Sequence, residues 1–259
     1  MIQALYTGMH GMLSQQRNID TIANNIANIN TGGFKKSRVD FRDALYVRMV
    51  SPVNNAPEIN LQRGTGALTY QTARDFSQGV WQQTGRALDA SIEGPGYFTV
   101  EEPGGDVLYT RGGNFYLSTE PGGDFLVDMR GRYLLDDRGG RIAIQGAAAG
   151  MVVAADGGLT YQLADGTLVT PGVRLGIADF DNRAGLTDVG DGYFIPSANS
   201  GPAFLAVAPE VRQGGLEGSN VDFAEESTRL IRAQRAYQMA SRCVSVADQM
   251  AQICNTIRT

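Results

Sequence analysis

Both ends of this 259-residue chain carry the same apolar spacing, and the stretch between them does not. Ile2, Leu5, Met9, Met12, Ile19, Ala23 and Ile26 recur at alternating intervals of three and four, interrupted only at Gln16. Leu230, Ala233, Tyr237, Ala240, Val244, Ala247, Ala251 and Cys254 do so without interruption. A mean interval of about 3.5 residues is the seam of a coiled coil. Two seams at opposite ends of one chain predict that the termini meet, and that they meet other copies. The pattern points to assembly before it points to catalysis.

The first seam predicts a helix over 2–29, about 42 Å long. Gly8 and Gly11 each weaken it by roughly 1 kcal/mol relative to alanine. It stops at Asn28 to Gly33, where Asn and Gly accept the left-handed conformation of a helix C-terminus. Lys35, Lys36 and Arg38 follow, cations that suit the negative end of the helix dipole. The second seam predicts a helix over 222–257, about 54 Å long. Ser219, Asn220 and Asp222 are its candidate caps, and Glu225 and Glu226 fall in its first turn, where negative charge is favoured. A lone helix of this kind is marginal in water. Both ends are therefore expected to be labile in an isolated monomer and to order inside an assembly.

All but four of the 33 glycines lie between Val39 and Asn220, and all nine prolines between Pro52 and Pro209. Short apolar runs there alternate with turn signals: Tyr97–Val100, Phe115–Leu117, Tyr133–Leu135, Val152–Ala154 and Leu159–Gln162. That cadence predicts an antiparallel sandwich or barrel-like region. Residues 46–66 read as a long irregular insertion. Gly94-Pro95-Gly96-Tyr97-Phe98 is echoed by Gly190-Asp191-Gly192-Tyr193-Phe194, two turns each feeding an aromatic strand. The predicted class is α+β: long terminal helices paired as a coiled coil, with Gly-rich antiparallel β domains between them. The expected division is 1–38 plus 220–259 (helical), 39–92 plus 205–219 (connecting β region with the insertion) and 93–204 (outer β domain).

The net charge is −5. Residues 1–38 carry +3 and 221–259 carry +1, so the middle carries −9, which argues against a nucleic-acid partner. Cys243 and Cys254 lie eleven apart on one predicted helix, roughly 16 Å along its axis, too far for a disulfide within the chain. They read as small apolar residues on a packed face. No secretory signal and no membrane-length apolar run is visible. On these rules alone the chain is soluble and cytoplasmic, without membrane insertion.

The chemistry of common sites is missing from the sequence. The single histidine, His10, has no acid within helical reach and reads as a partly exposed interface residue. There is no phosphate loop, no paired Cys ligands and no calcium loop. Asp136 with Asp137, Asp179 with Asp181, and Asp188 with Asp191 are carboxylate pairs, but each sits at a turn signal. No catalytic, cofactor or metal residue is assigned, and the chain is not read as an enzyme.

Several segments resemble the flagellar basal-body rod and hook protein family. Asn24-Asn25-Ile26-Ala27-Asn28-Ile29-Asn30-Thr31, ending at Gly33-Phe34-Lys35, is similar to its N-terminal signature. Ser219-Asn220-Val221-Asp222, Ala224-Glu225-Glu226, Gln234-Arg235-Ala236-Tyr237 and Ala247-Asp248-Gln249-Met250 are similar to its C-terminal one. Gly64-Thr65-Gly66, Ser77-Gln78-Gly79 with Gln83-Thr84, and Tyr109 to Phe115 match between them. Length and the 46–66 insertion favour the distal rod members. Gly32 departs from the usual Thr, Pro or Asn, and the insertion is a few residues short.

The resemblance implies a self-assembling structural subunit of a hollow helical tube that carries torque to the hook. It also implies paired terminal helices on the inner wall and β domains outside. Its partners would be other copies, other rod proteins and the hook protein along the axis, and the flagellar type III export apparatus. Export would need no cleaved signal and would lead to the basal body in the cell envelope. Phe41 and Leu45 match a loose export-gate pattern. Asn24, Asn25 and Asn28 either cap the helix end or bond across neighbouring helices. Two alternatives stay open: a proximal rod or hook position, and an oligomeric β-rich carbohydrate-binding or hydrolytic domain.

Overall fold

The computed structural model of the protein describes residues 2–48, 62–121, 123–144, 150–163, 167–207 and 209–257. The chain forms two compact units. One comprises Met1–Ala27, Ser37–Asp75 and Asp222–Thr259, and the other Asn28–Lys36 and Phe76–Val221. The three-part division expected from sequence has different boundaries, because 37–75 groups with the terminal helices.

The helical unit holds α1 (Ile2–Ala27) and α2 (Phe223–Ile257). It also holds the strands β1 (Ser37–Asp43), β2 (Tyr46–Arg48), β3 (Gln62–Gly64) and β4 (Ala67–Arg74). The helices pack along each other. Gly8 lies against Val244, Gly11 against Ala240 and Asn25 against Glu226, so they run antiparallel. β1 and β4 pair antiparallel, with an irregularity between Asp40 and Phe41, and both strands pack on α1. Ser14 Oγ donates to Ala67 O at 3.0 Å, tying α1 to the hairpin. The insertion read as irregular begins and ends as a ladder: β2 pairs with β3. Residues 49–61 lie outside the described residues.

The helix ends come close to expectation. α1 stops at Ala27, two residues early. The left-handed residue beyond it is Gly33, at φ +70°, and no described asparagine takes a positive φ. α2 is capped by Asp222, whose Oδ1 accepts from Ala224 N at 2.8 Å and Glu225 N at 3.1 Å.

The second unit is antiparallel β: glycine turns join some of its short strands into hairpins, and long-range pairs such as Glu93 with Glu210 and Gln83 with Gly215 close the rest. Its strands open with β5 (Trp81–Gln83), β6 (Ala90–Glu93), β7 (Tyr97–Glu101), β8 (Val107–Thr110), β9 (Tyr116–Glu120) and β10 (Gly123–Val127). There follow β11 (Tyr133–Leu134), β12 (Ala143–Ile144), β13 (Gly150–Val153), β14 (Leu159–Gln162) and β15 (Leu168–Val169). β16 (Ile177–Asp179), β17 (Thr187–Gly190), β18 (Tyr193–Ile195), β19 (Phe204–Leu205), β20 (Glu210–Gln213) and β21 (Gly215–Glu217) complete it. The largest sheet runs β12-β10-β11-β7-β8-β18-β17.

The two echoed segments flank one strand: Phe98 and Tyr193 both sit opposite Thr110 of β8. Their aromatics meet, with the Tyr97 and Phe194 rings 5.6 Å apart edge to face. Phe98, Phe115, Leu126, Leu134, Ile144 and Ile177 are sealed in the main core.

Candidate assembly surface

The helical seam is built differently on its two sides. On α2, Ala240 and Val244 lie against Gly11 and Gly8 of α1; Ala233 and Ala247 are buried, and Leu230, Ala240, Val244 and Ala251 are half-buried. Tyr237 and Cys254 are exposed. Cys254 follows the stretch that α1 can cover, since Gly8 already stands opposite Val244. Cys243 lies one position off the seam and is also exposed, so the packed face expected for both cysteines is corrected.

On α1 the buried residues are Gly8, Ser14, Ile22 and Asn25. Gly8, Ile22 and Asn25 each precede an expected seam position by one, a rotation of about 100°. Leu5, Met12, Ile19 and Ile26 are half-buried, while Met9 and Ala23 are exposed, and Ile2 opens the helix. The face of α1 that meets α2 therefore centres on Gly8, Gly11, Ile22 and Asn25, rotated from the expected apolar stripe. Gly8 is the reason the backbones approach: a Cβ there would lie 2.6 Å from Val244 Cγ2.

Asn25 fixes the other end of the pair. Its side chain is fully buried, with Oδ1 accepting from Ser37 N at 2.9 Å and Nδ2 donating to Ser37 O at 2.7 Å. Nδ2 also donates to Glu226 Oε2 at 3.1 Å. One amide thus ties α1, β1 and α2 together. Glu226 is sealed beneath it, with Arg229 Nη1 3.2 Å from its other oxygen. Of the two roles open for this asparagine, its side chain does not cap the helix end but bonds to β1 and to the chain's own α2. Asn28 Oδ1 accepts from Thr31 Oγ1 at 3.2 Å.

In the β unit the N-terminal signature residues meet a second buried charge. Lys35 Nζ donates to Glu217 Oε1 at 2.6 Å and to Ser77 O at 2.7 Å. Arg111 Nη1 donates to Glu217 Oε2 at 3.1 Å, and Gly79 N to Oε1 at 2.9 Å. All three ionic side chains are at least 95 % buried. Lys35 thus satisfies Glu217 and does not sit at a helix end, as its sequence position suggested. Gly33 N donates to Glu217 O at 2.7 Å, and a Cβ at Gly33 would lie 2.8 Å from Arg111 C. Phe34 is half-buried beside it, and its O accepts from Asn220 N. Asn30 is exposed and Asn24 is held by its own interactions.

Burial pushes the Tyr97 phenol up to about 12, although Arg111 pulls it back. Tyr193 is raised by burial and by its 2.7 Å donation to Asp128 Oδ2.

The carboxylate pairs serve turns and ion pairs, Asp191 joining Arg130. Asp136 Oδ1 accepts from Arg138 N and Gly140 N, Asp188 Oδ1 from Gly190 N, and Asp179 pairs with Arg183. Among the described residues no group of three or more His, Cys, Asp or Glu is placed to hold a metal ion. No described helix is long and apolar enough to cross a membrane. Phe41 is exposed on β1, and Leu45 is more exposed still, just before β2.

Three family models match the chain in order. They are "Flagella basal body rod protein" over 5–35, "Flagellar hook protein FlgE/F/G D1 domain" over 91–161, and "Flagellar basal body rod FlgEFG protein C-terminal" over 212–257. The flagellar basal-body rod protein FlgG of Bacillus subtilis is 36% identical over 97% of each chain. The FlgG of Caulobacter vibrioides is 37% identical over 100% of each. The chain belongs to the flagellar basal-body rod proteins. It is a structural rod subunit, most like the distal-rod protein FlgG, located in the basal body in the cell envelope, and not an enzyme. The rod protein FlgF of Caulobacter vibrioides is also similar, at 32% over 97% of this chain and 96% of that one. The Helicobacter pylori hook protein FlgE2 aligns over 70% of this chain and 43% of that one, at 11% identity and a TM-score of 0.24, too low to bear on the fold.

Sequence reasoning passed over three features of this surface. In the sequence Gly8 reads only as a weak helix residue, and Glu226 only as a first-turn acid. The third is a second apolar stripe on α2: Met239, Cys243, Val246, Met250, Ile253 and Ile257, all exposed. Its alternating spacing of four and three was present in the sequence, one position away from the seam.

Proposed function

We propose that the chain polymerises helically into the wall of a hollow tube that transmits torque to the hook, with its terminal helices forming coiled-coil contacts. The observation that carries this reading is the surplus of apolar surface on both helices. α2 turns one stripe to α1 and leaves the Met239–Ile257 stripe open, and only Glu226, Ala233 and Ala247 of its 35 residues are buried. α1 leaves Tyr6, Met9 and Leu13 open. A helix apolar on two faces needs two neighbours. A heterologous contact between copies that does not close makes a filament. Axial contact with other rod proteins and the hook protein, and passage through the type III export apparatus with Phe41 and Leu45 as a gate motif, belong to the same reading.

Limited proteolysis of monomer and polymer, with mass spectrometry of the resistant core, tests it. Monomer losing roughly residues 1–27 and 222–259, with the polymer protected, supports helices that order on assembly. Equal resistance in a small closed oligomer would overturn the tube. Val244→Asp is expected to abolish polymer and leave the β unit folded. A Phe41 variant secreted normally would dismiss the gate motif.

A further inference from the structure

α2 carries a short repeat rich in sulfur. Met239-Ala240-Ser241-Arg242-Cys243 and Met250-Ala251-Gln252-Ile253-Cys254 share the pattern Met-Ala-x-x-Cys, eleven positions apart. Eleven residues make about three helical turns, so the two copies fall on one side of the helix, roughly 16 Å apart along it. In each copy the alanine is half-buried, and Ala240 lies against Gly11 of α1. All four sulfur side chains are exposed, Met239 at 62% and Met250 at 54%. Both methionines sit in the open apolar stripe of α2. In the β unit, by contrast, Met151 is sealed in the core, and the sulfur of exposed Met129 accepts from Asn114 Nδ2 at 3.8 Å.

A thioether is apolar and pliable, which suits a contact formed between copies. A sulfoxide is polar and chiral, and it disrupts such a contact. Buried among apolar groups without a donor, it bears a desolvation cost that the thioether does not. We infer that Met239 and Met250 form a reversible oxidation site through which hydroperoxides switch off this face of α2. The sulfur lone pair takes the terminal oxygen of the hydroperoxide as the O–O bond breaks, and water or an alcohol leaves. Reversal takes methionine sulfoxide reductases and a thiol reductant. The site is open in the free subunit and closed once a neighbour covers the stripe. The switch therefore acts before assembly and spares finished polymer. The inference rests on the rod reading and adds chemical control to it.

The test treats full-length monomer with dilute hydrogen peroxide, locates its sulfoxides by peptide mass spectrometry and measures its critical concentration for polymerisation. Oxidation at Met239 and Met250 should raise that concentration at least tenfold. Dithiothreitol alone, which reverses disulfides and sulfenic acids at the cysteines, should not restore it. Adding methionine sulfoxide reductases of both epimer specificities should bring it within twofold of the untreated value. Met239→Leu with Met250→Leu, which conserves volume, should polymerise within twofold of wild type before and after peroxide. Met129→Leu should stay as sensitive as wild type. Chain oxidised at both positions that polymerises at its ordinary concentration overturns the switch while the rod reading stands. Recovery with dithiothreitol alone, or inhibition that survives both leucines, overturns it too and points to the thiols or to Met9. Untreated wild-type chain that forms no polymer counts against the rod reading and removes the switch with it.

Discussion

Asn25 and Glu226, 201 positions apart, meet in a hydrogen bond of 3.1 Å with both side chains sealed from solvent. The asparagine spends its carbonyl and its amide on the two backbone groups of Ser37 and shares the same amide with the glutamate. A buried carboxylate that loses a donor bears the full desolvation penalty. Asn25→Ala is expected to destabilise the helical unit by roughly 2–4 kcal/mol, and Asn25→Asp by more, through like-charge contact. Helical circular dichroism during urea unfolding reads both. Changes under about 0.5 kcal/mol would deny the clamp its role.

Gly8 sets the distance between the helices. Alanine there gains about 1 kcal/mol of helix propensity and meets Val244 Cγ2 at 2.6 Å. Overpacking costs typically about 1–3 kcal/mol, so the net effect is expected to be destabilising. In Val244→Ala the clash is gone and Gly8→Ala should become neutral or stabilising. A double-mutant cycle on unfolding free energies reads that change of sign.

Glu217 answers two cations and a backbone amide in a space closed to water. Glu217→Ala strands both Lys35 and Arg111 and is expected to cost about 3–5 kcal/mol or prevent folding of the β unit. Lys35→Met leaves the carboxylate with Arg111 and Gly79 and should cost less. Trp81, the single tryptophan, sits opposite Glu217 in the β5–β21 ladder, so its fluorescence reports this unit alone. Equal losses for the two variants would contradict the network.

Tyr97 makes the β unit sensitive to alkali. Its folded pKa of about 12 lies above the ordinary phenol value of 10.0. The native state therefore holds the proton where the unfolded chain has lost it. That contribution is whole below pH 10 and disappears as pH rises to about 12, a loss of roughly 3 kcal/mol. Tyr97→Phe is expected to unfold at higher pH than wild type in a Trp81 fluorescence titration. An unchanged alkaline midpoint would place the sensitivity elsewhere, with Tyr193 next in line.

The sequence by itself determined the terminal helices, the glycine-punctuated antiparallel middle and the family. Each rests on information local in the chain: a 3.5-residue period, turn residues, and signatures at the two ends. On α2 two stripes of the same spacing, one through Ala240 and Val244 and one through Met239 and Val246, are both present in the sequence, and the fold decided which of them turns to α1. Tertiary structure alone decided which face of α1 meets α2. Leu5, Met9 and Met12 make the stronger apolar stripe, but backbones pack closest where side chains are absent, so Gly8 and Gly11 take the contact. It also decided the fates of Asn25 and Lys35. A polar residue near a helix end reads as a cap or a dipole partner until the fold brings a distant carboxylate to it. Glu226 and Glu217 carry no mark in sequence that they will be buried, and the desolvation penalty that then demands Asn25, Lys35 and Arg111 exists only once the chain has closed around them.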